Sequence, residues 1–278
     1  MRVAYLGPDG TVSHEALMSV PGADAFELVP ERTLHDAIVA VHDGTVDRAL
    51  VPIENALEGA VNPTLDAIAF ETDDVVIVGE LRHPVHLCLL AGRPLALDAI
   101  ETVVSHPQAS AQCARFLRTQ LPGAQVVAAA STAEAVRQAT AAGDDATAAV
   151  GTRHAAALYE ATALAVDVED EDGNETRFVW LARAGTEPGG GERFKTALVF
   201  WGAGSAGPGW LVRCLLEFAT RGVNLTRIES RPRREGLGEY MFFLDVDGGL
   251  DEPGVAGAVE GLRAHADMVR VLGSFPAA

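Results

Sequence analysis

The first two thirds of the chain alternate short apolar runs with longer segments in which apolar residues recur at helical spacing. This alternation predicts strands and helices in turn, which is typical of an α/β sheet covered by helices. The predicted strands are 2–6, 25–29, 47–51, 75–82, 85–90, 101–104, 125–129, 146–150, 162–168 and 177–183, and the predicted helices are 13–20, 33–43, 60–70, 107–120, 132–142 and 152–159. So many strands indicate two lobes, with 75–91 leading from one lobe to the other and the chain returning near 160–183. Thr33 and Ser131 are expected to be N-caps, because an acidic residue follows each of them three positions later.

A glycine-rich segment separates this region from a C-terminal part with a different pattern. Residues 185–192 contain four glycines and one proline, a composition typical of a linker. We therefore expect one domain over 1–184, a linker over 185–192 and a second domain over 193–278. In the second domain the predicted order is strand 194–201, helix 208–221, strands 225–232 and 239–247, helix 252–264 and strand 267–273. This βαββαβ order is typical of a ferredoxin-like domain.

Composition and charge argue against several classes of protein. The 278 residues carry a formal net charge of −18, which disfavours binding to nucleic acid or to anionic lipid. No apolar run reaches the roughly 18 residues that a membrane helix needs, and the N-terminus lacks the apolar core of a signal peptide. Cys88, Cys113 and Cys214 are scattered, which fits a reducing cytoplasm and predicts neither a disulfide framework nor a metal site.

The stretch Gly202-Ala203-Gly204-Ser205-Ala206-Gly207 matches the G-x-G-x-x-G pattern of dinucleotide-binding proteins. Glu229 follows at about the spacing at which such proteins place an acid for the ribose. However, the next predicted strand returns through a hairpin, and the residues after it are too few for a doubly wound sheet. A glycine loop before a helix is therefore the favoured interpretation.

Polar residues follow three predicted strands at the points where the chain turns into a helix. They are Thr11 and Ser13 after the first strand, Glu54 and Asn55 after 47–51, and Ser105 and Gln112 after 101–104. Ligands of open α/β sheets lie beyond the carboxyl ends of the strands, and free N–H groups at a helix start bind carboxylates. Together with the polar residues in 174–178, these turns predict a site for a small anion. On residue types alone, ordinary capped helices and an ordinary strand start remain the simpler explanation.

Four of these stretches together resemble the signature blocks of prephenate dehydratases. They are GPDGTVSHEA at 7–16, VPIENALEGAV at 51–61, SHPQASAQC at 105–113 and ETRFVWLAR at 175–183. The C-terminal part is similar to an ACT regulatory domain, through PGWLVRCLLEFATRGVNLTRIESRP at 208–232 and EYMFFLDVDG at 239–248. The resemblance implies an α/β fold with two lobes like those of type II periplasmic binding proteins, an active site in the cleft between them, and a ferredoxin-like ACT domain. No chorismate mutase segment precedes Arg2, so the resemblance is to the monofunctional form.

The resemblance also implies a reaction and its regulation. Prephenate is converted to phenylpyruvate with loss of CO2 and water in L-phenylalanine biosynthesis, and no cofactor is needed because aromatisation of the ring drives the step. Phenylalanine is expected to bind the ACT domain and inhibit, and the chain is expected to form a homodimer or tetramer through its ACT domains. Two alternatives remain open: the same chemistry on arogenate, and a non-catalytic amino-acid sensor on a binding-protein-like fold. A chain truncated near Ala184 is expected to keep activity and lose feedback.

The roles of individual residues follow from the matched positions. Thr176 is expected to donate a hydrogen bond or a proton to the departing oxygen, Asn55, Gln112 and Ser105 to orient the substrate and stabilise charge, and Glu54 to tune that network. The expected substrate-binding residues are Thr11, Ser13, Ala56, Arg177 and Phe178. Arg177 is expected either to pair with a substrate carboxylate or to brace the fold. Ala56 stands where the family usually has serine, which leaves the role of that hydroxyl open.

The expected effector site lies in the ACT-like part. Its predicted residues are Gly209, Trp210, Leu211, Val212, Asn224, Leu225, Glu229, Ser230, Arg231 and Pro232. Gly209 is singled out because its missing side chain would let an amino-acid ligand approach the backbone, whereas Gly202, Gly204 and Gly207 are expected to provide loop flexibility. Trp210 stands where the ACT motif usually has alanine, so the affinity or selectivity for the effector is expected to differ.

Overall fold

The computed structural model describes residues 1–144, 146–202, 204 and 207–278. Its strands are β1 (Arg2–Leu6), β2 (Glu27–Glu31), β3 (Arg48–Asn55), β4 (Gly59–Ala60), β5 (Val75–Pro84), β6 (Cys88–Ala91), β7 (Thr102–Ser105), β8 (Gln125–Ala128), β9 (Thr147–Gly151), β10 (Thr162–Ala165), β11 (Glu175–Arg183), β12 (Phe194–Trp201), β13 (Leu225–Pro232), β14 (Tyr240–Asp247) and β15 (Met268–Pro276). Its α-helices are α1 (Val12–Met18), α2 (Leu34–His42), α3 (Asn62–Phe70), α4 (Pro107–Gln112), α5 (Ala114–Gln120), α6 (Thr132–Ala142), α7 (Arg153–Leu158), α8 (Trp210–Ala219) and α9 (Pro253–Arg263). This order confirms the predicted alternation and the α/β class. Among the residues described, no helix is long and apolar enough to cross a bilayer.

The helix predicted over 107–120 is divided in the structure at Cys113 into α4 and α5. The carboxylate of Asp170 accepts hydrogen bonds from the backbone N–H groups of Arg115, at 2.7 Å, and Phe116, at 3.2 Å. These N–H groups have no partner inside a helix that starts here, so Asp170 stabilises a second helix start. Since Asp170 is distant in sequence, the periodicity of the helix alone did not reveal the break.

The first lobe is built on a sheet with the strand order β2-β1-β3-β11-β5. Strands β1, β2 and β3 are parallel, whereas β11 runs antiparallel between β3 and β5. Strand β4, which was not predicted, pairs with the last two residues of β3. The central strands are apolar on both faces because α2 and α3 cover one face and α1 covers the other.

The second lobe contains a sheet with the order β10-β6-β9-β7-β8, covered by α4 to α7. The chain enters this lobe through residues 85–87, between β5 and β6, and returns through 166–174, between β10 and β11. These crossings confirm the two predicted lobes. At the start of α2 and α6, the Thr33 and Ser131 hydroxyls accept the N–H groups of Asp36 and Glu134 at 3.0 Å, as expected for N-caps.

The C-terminal part is a βαββαβ unit whose antiparallel sheet has the order β13-β14-β12-β15, as predicted for a ferredoxin-like fold. Both faces of this sheet are buried. Leu198 and Phe200 of β12 pack under α8 and α9, whereas the alternate residues Ala197 and Val199 belong to the core of the first lobe. The second domain is therefore packed directly on the first.

The contact between the two domains is close enough to require a glycine. A Cβ added at Gly273 of β15 would lie 2.1 Å from the carbonyl oxygen of Ile77 in β5, so a larger residue would push the two domains apart. Leu272 and Phe275 on either side belong to the same shared core. A chain ending near Ala184 would expose this core, which revises the expectation that the first domain works alone.

The G-x-G-x-x-G stretch is followed by α8 and then by the β13–β14 hairpin, and no doubly wound sheet follows it in the described chain. Ala203, Ser205 and Ala206 lie outside the described residues. A Cβ added at Gly204 would lie 2.2 Å from Cδ1 of Trp210. This glycine therefore serves close packing against Trp210, which corrects the expectation of loop flexibility.

Candidate active site

A cleft of about 1440 Å³ lies between the two lobes. Its walls include the turns after β1 and β3 in the first lobe, the turns after β7 and β8 in the second, and the start of β11. The cleft thus lies beyond the carboxyl ends of strands, where α/β sheets bind ligands. Its volume exceeds the roughly 300–1,000 Å³ of ordinary ligand pockets, so a small molecule contacts only part of its walls.

Asn55 and Thr176 form a well-defined polar pair in the cleft. They are directly paired on β3 and β11, and each is 8% exposed. The Nδ2 atom of Asn55 donates to Oγ1 of Thr176 at 3.0 Å. The Oδ1 atom of Asn55 accepts the backbone N–H groups of Leu57 and Glu58, at 3.0 and 3.1 Å, which fixes the orientation of the amide. Because the Thr176 oxygen accepts this bond, its own proton is left for an acceptor in the cleft.

Asn174 and Gln112 extend this pair towards the second lobe. Asn55 Nδ2 also donates to Asn174 Oδ1 at 2.8 Å, and Asn174 Nδ2 donates to Gln112 Oε1 at 3.3 Å. Gln112 ends α4 in the second lobe, and its Nε2 lies 3.5 Å from Oε1 of Glu58 in the first lobe. A chain of hydrogen-bonded amides therefore connects Thr176 to both lobes.

The turn after β1 supplies another part of the wall. The Thr11 hydroxyl donates to the Leu6 carbonyl at 2.9 Å and accepts the His14 N–H at 3.3 Å, so its proton is not free for a substrate carboxylate. Ser13 also lines the cleft, and its hydroxyl has no hydrogen-bond partner among the described residues. Nδ1 of His14 lies 3.0 Å from Nε2 of His154 in the second lobe. Burial lowers the pKa of His14, and His154 lowers it further, so a neutral imidazole connects the lobes here.

Five predicted catalytic or substrate-binding residues do not line the cleft, and Ser105, Phe178 and Ala56 are three of them. Ser105 is fully buried, and its hydroxyl donates to the Val150 carbonyl at 3.1 Å, which ties β7 to β9. Phe178 is packed in the core beneath α1. Ala56 is exposed outside the cleft wall, with its N–H donating to the Glu175 carbonyl at 2.8 Å. The expectation that these side chains contact the substrate is therefore corrected.

Arg177 and Glu54 face away from the cleft. Successive residues of a strand point to opposite faces of the sheet, so the neighbours of Thr176 and Asn55 lie behind them. The Arg177 guanidinium donates to Glu54 at 3.1 Å, to Glu80 at 3.2 Å and to Asp245 at 2.6 Å. Of the two roles left open for Arg177, the structure favours bracing the fold, because these carboxylates occupy its donors. Pairing of Arg177 with a substrate carboxylate is therefore corrected, and Glu54 acts only from behind the cleft.

Sequence reasoning gave no individual role to several residues of the cleft wall, although the polar segment 174–178 that it included contains Asn174. Asn174 precedes Thr176 by two positions in extended chain, and side chains two residues apart in a strand point to the same face. This alternation would have placed Asn174 on the same face as Thr176. Arg32, His106, Ser131 and Thr132 also line the cleft, and each follows the end of a parallel strand. The rule that located Asn55 therefore applies to them as well, although Ser131 was interpreted only as a helix cap.

A second pocket, of about 280 Å³, lies in the C-terminal domain. Its walls are formed by Gly207, Gly209, Trp210, Leu211, Val212, Gly238, Tyr240 and Phe242. Four predicted effector residues meet here, around the start of α8. Gly209 is the N-cap of that helix, with a φ of 76°. The Trp210 ring is largely buried and its indole N–H donates to the His265 carbonyl at 2.7 Å, so this ring is held in place by the core.

The other predicted effector residues do not line this pocket. Asn224, Leu225, Glu229, Ser230, Arg231 and Pro232 lie immediately before or along β13, at the edge of the sheet. The Arg231 guanidinium donates to both carboxylate oxygens of Asp66, at 3.0 and 2.8 Å. Asn224 Nδ2 donates to Asp247 Oδ2 at 2.8 Å. Within one chain, the two halves of the expected effector site are therefore separate.

Among the residues that the structure describes, two groups of side chains away from the cleft have the composition of metal ligands. They are His42 with Asp73 and Asp74, and His86 with Asp167 and Glu169. An arginine already pairs with a carboxylate in each group, Arg183 with Asp74 at 3.3 Å and Arg153 with Asp167 at 2.7 Å. Both groups are accounted for as surface ion pairs.

The fold and the cleft define a two-lobed α/β protein with a small-molecule site between its lobes and a ferredoxin-like domain packed behind it. Residues 3–186 match the family model of prephenate dehydratase. A prephenate dehydratase from Mycobacteroides abscessus is 41% identical over 281 residues, which cover 99% of this chain and 90% of the relative. The chain belongs to the prephenate dehydratase family and is an enzyme, as the resemblance implied.

Solved structures confirm the fold class over the whole chain. The prephenate dehydratase from Arthrobacter aurescens, solved in complex with L-Phe, has a TM-score of 0.90 and 36% identity, covering 99% of this chain and 90% of that one. GqqA, described as a novel type of quorum quenching acylase, has a TM-score of 0.86 and 30% identity, covering 100% of this chain and 98% of that one. A protein of similar fold is thus associated with a different activity, and the choice between activities depends on the site.

Proposed function

We propose that this enzyme converts prephenate to phenylpyruvate, with Thr176 and Asn55 at the reacting centre. The observation that carries the proposal is the hydrogen bond from Asn55 Nδ2 to Thr176 Oγ1, at 3.0 Å, in the cleft. It uses the hydroxyl oxygen as an acceptor and leaves the hydroxyl proton for a substrate atom.

The conversion of prephenate to phenylpyruvate requires a hydrogen-bond donor beside the oxygen that leaves the ring. The bond between the ring and its carboxylate breaks, and its electron pair enters the ring as CO2 leaves. The ring C–O bond breaks as the ring becomes aromatic, and the oxygen departs as hydroxide, which takes up a proton and becomes water. Negative charge develops on this oxygen, so a donor beside it stabilises the transition state more than the ground state. Thr176 is that donor, and Asn55 polarises its hydroxyl; solvent restores the proton balance, because a threonine hydroxyl does not stay ionised at neutral pH.

The two carboxylates of prephenate need donors on other parts of the wall, because Arg177 is engaged behind the cleft. Ser13 offers a hydroxyl, Arg32 offers a guanidinium, and the N-terminal turn of α6 offers backbone N–H groups beside Ser131 and Thr132. We assign carboxylate binding to these groups in place of Arg177.

The purified chain is expected to form phenylpyruvate from prephenate. Matched assays with arogenate and with an acylated quorum-sensing signal distinguish the other activities. Faster turnover of arogenate would favour an arogenate dehydratase, and cleavage of the acyl compound would favour an activity like that described for GqqA. Absence of turnover with prephenate, whatever the result with the other two compounds, would contradict the proposed reaction.

We also propose that the C-terminal domain is an ACT domain through which L-phenylalanine inhibits the enzyme. The pocket beside Gly209 and the L-Phe complex of the Arthrobacter aurescens relative support this proposal. Phenylalanine is expected to lower prephenate turnover, and Asn224→Ala or Ser230→Ala to weaken that inhibition. Thr220→Ala, at the opposite end of α8, is the matched control and is expected to retain it. Inhibition that is equal in all variants would place the effector elsewhere.

A second copy of the chain would complete this site. Within the described part of the chain, strand β13 pairs with β14 on one side only, and Ile228 on it is 46% exposed. An edge strand presents unpaired backbone groups to another strand, and pairing of two C-terminal domains would bring Ser230 of one copy towards α8 of the other. We therefore propose a homodimer or larger oligomer, tested by light scattering of the wild type and of Ile228→Lys. A monomeric wild type at micromolar concentration would contradict the proposal.

A further inference from the structure

A buried ion-pair network joins the C-terminal domain to the catalytic strands, directly behind Asn55 and Thr176. Asp245 on β14 accepts from Arg177 at 2.6 Å and from Arg227 at 3.0 Å. The side chains of Arg177 and Asp245 are 9% and 2% exposed. Arg177 reaches from β11 in the first lobe, so the contact crosses between the two domains.

The Arg177 network, as defined here, contains Arg177, Arg227, Lys195, Glu54, Glu80 and Asp245. Its charges balance, and Lys195 completes it by donating to Glu80 at 2.8 Å. Burial alone would raise the pKa of Asp245, but Arg227 and Arg177 outweigh burial and hold that pKa below its usual range. The carboxylate is therefore ionised at neutral pH and attracts the guanidinium in a site shielded from water.

Strand register connects this network to the reacting pair. Thr176 is paired with Asn55, and the next pair along the two strands is Arg177 with Glu54. The 3.1 Å bond between Arg177 and Glu54 links β11 to β3 one residue from the Thr176–Asn55 hydrogen bond. Because Arg177 directly follows Thr176 on β11, a displacement of Arg177 is expected to move Thr176 as well.

We propose that Asp245 is a positioning residue for the dehydratase reaction, acting through Arg177 on the geometry of Thr176 and Asn55. The proposal rests on the role proposed above for that pair. Asp245 belongs to the C-terminal domain, so that domain supports the reacting groups from behind. A shift of β14 would move Asp245, and Asp245 would transmit the shift to the cleft through its ion pair with Arg177.

Asp245→Asn tests the proposal, because it keeps the side-chain shape and removes the charge. We expect kcat to fall about 10-fold, part of the roughly 100-fold cost of a 1 Å misplacement. KM is expected to change less than about threefold, since the substrate carboxylates bind elsewhere. Asp66→Asn is the matched control, because Asp66 also pairs across the domains, with Arg231 and Arg234 at 2.8 and 3.0 Å, but not behind the reacting pair. An unchanged kcat in Asp245→Asn, or an equal fall in both variants, would overturn the proposal.

A double-mutant cycle separates positioning from general destabilisation. In a Thr176→Val background, adding Asp245→Asn is expected to change kcat by less than about twofold, because the two residues act through one group. If Asp245→Asn lowers kcat by the same factor in the Thr176→Val background as in the wild type, the proposal is overturned. If Asp245→Asn does not fold, Asp245→Glu keeps the charge and lengthens the side chain, and it takes the same place in the cycle.

The side-chain amide signals of Asn55 give a readout that needs no substrate. In spectra of 15N-labelled protein, these signals are expected to shift in Asp245→Asn and to stay in place in Asp66→Asn. Unchanged Asn55 signals in Asp245→Asn would overturn the positioning role even in an enzyme that turns over prephenate. Absence of prephenate turnover in the wild type, with shifted signals in Asp245→Asn, would instead contradict only the proposed function.

Discussion

Replacing Thr176 by valine removes one hydroxyl from the cleft and keeps a β-branched side chain of nearly the same shape. Asn55 then loses an acceptor at 3.0 Å, but it keeps Asn174 Oδ1 at 2.8 Å and the Glu175 carbonyl at 3.3 Å. One neutral hydrogen bond contributes about 1 kcal/mol to stability. The free energy of unfolding is therefore expected to fall by no more than about 1 kcal/mol.

The same change is expected to affect catalysis much more. Removing one donor to a developing oxyanion lowers kcat by roughly 10²–10³-fold, or ~2.7–4 kcal/mol. The assay is the rate of phenylpyruvate formation at saturating prephenate, measured alongside urea denaturation of the same preparations. Thr176→Ser keeps the hydroxyl and is expected to stay within about 10-fold of the wild type. A valine variant with nearly wild-type kcat would refute the reasoning, and equal losses in both variants would indicate packing instead.

Three further outcomes follow from the contacts between the domains. Arg177→Met removes one of the two cations beside each of the buried carboxylates Glu80 and Asp245, which keep Lys195 and Arg227, so the free energy of unfolding is expected to fall by about 3 kcal/mol in urea titrations, the lower end of the cost of breaking a buried pair; a loss below about 1 kcal/mol would contradict a bracing role. Despite burial, cationic neighbours hold the pKa values of these two carboxyls below their usual range, so the stability they contribute is complete above about pH 5, begins to fall near pH 4, where the unfolded chain takes up protons, and is lost as the pH falls through the lowered pKa values of the folded state. Urea titrations from pH 7 to pH 3 check this sign, and a rise in stability on acidification would contradict it. A chain ending at Ala184 is expected to aggregate or to lose most of its activity, because the core that includes Phe275 and Leu272 is shared; a monodisperse and fully active fragment would contradict this.

Most of the architecture could be predicted from local pattern. The spacing of apolar residues identified both lobes and the βαββαβ unit, since strand and helix periods are properties of neighbouring residues. Thr33 and Ser131 were identified as caps for the same reason. Features that depend on residues distant in sequence could not be predicted from local pattern. The division of the helix at Cys113 depends on Asp170, which reaches its start from another part of the chain.

Only those residues of the candidate site that lie at the ends of predicted strands could be predicted from the sequence. Asn55 and Thr176 line the cleft, as expected from their positions at strand ends. Ser105 and Phe178 point into the protein interior instead. The pairing of Arg177 with Asp245 could not be predicted from the sequence, because Asp245 lies 68 residues further along the chain on a different sheet. No local periodicity reports which carboxylate a buried guanidinium will meet.

The two faces of β3 and β11 have a consequence for how such enzymes are assembled by recombination. One face carries the reacting pair, and the other carries Glu54 and Arg177, of which Arg177 also pairs with Asp245 of the C-terminal domain. A C-terminal domain transplanted from an unrelated regulator would take away one of the three carboxylates that pair with this arginine, even if its own fold were intact. A donor domain that has an acid at the position of Asp245 is therefore expected to support the catalytic strands better than one that lacks it.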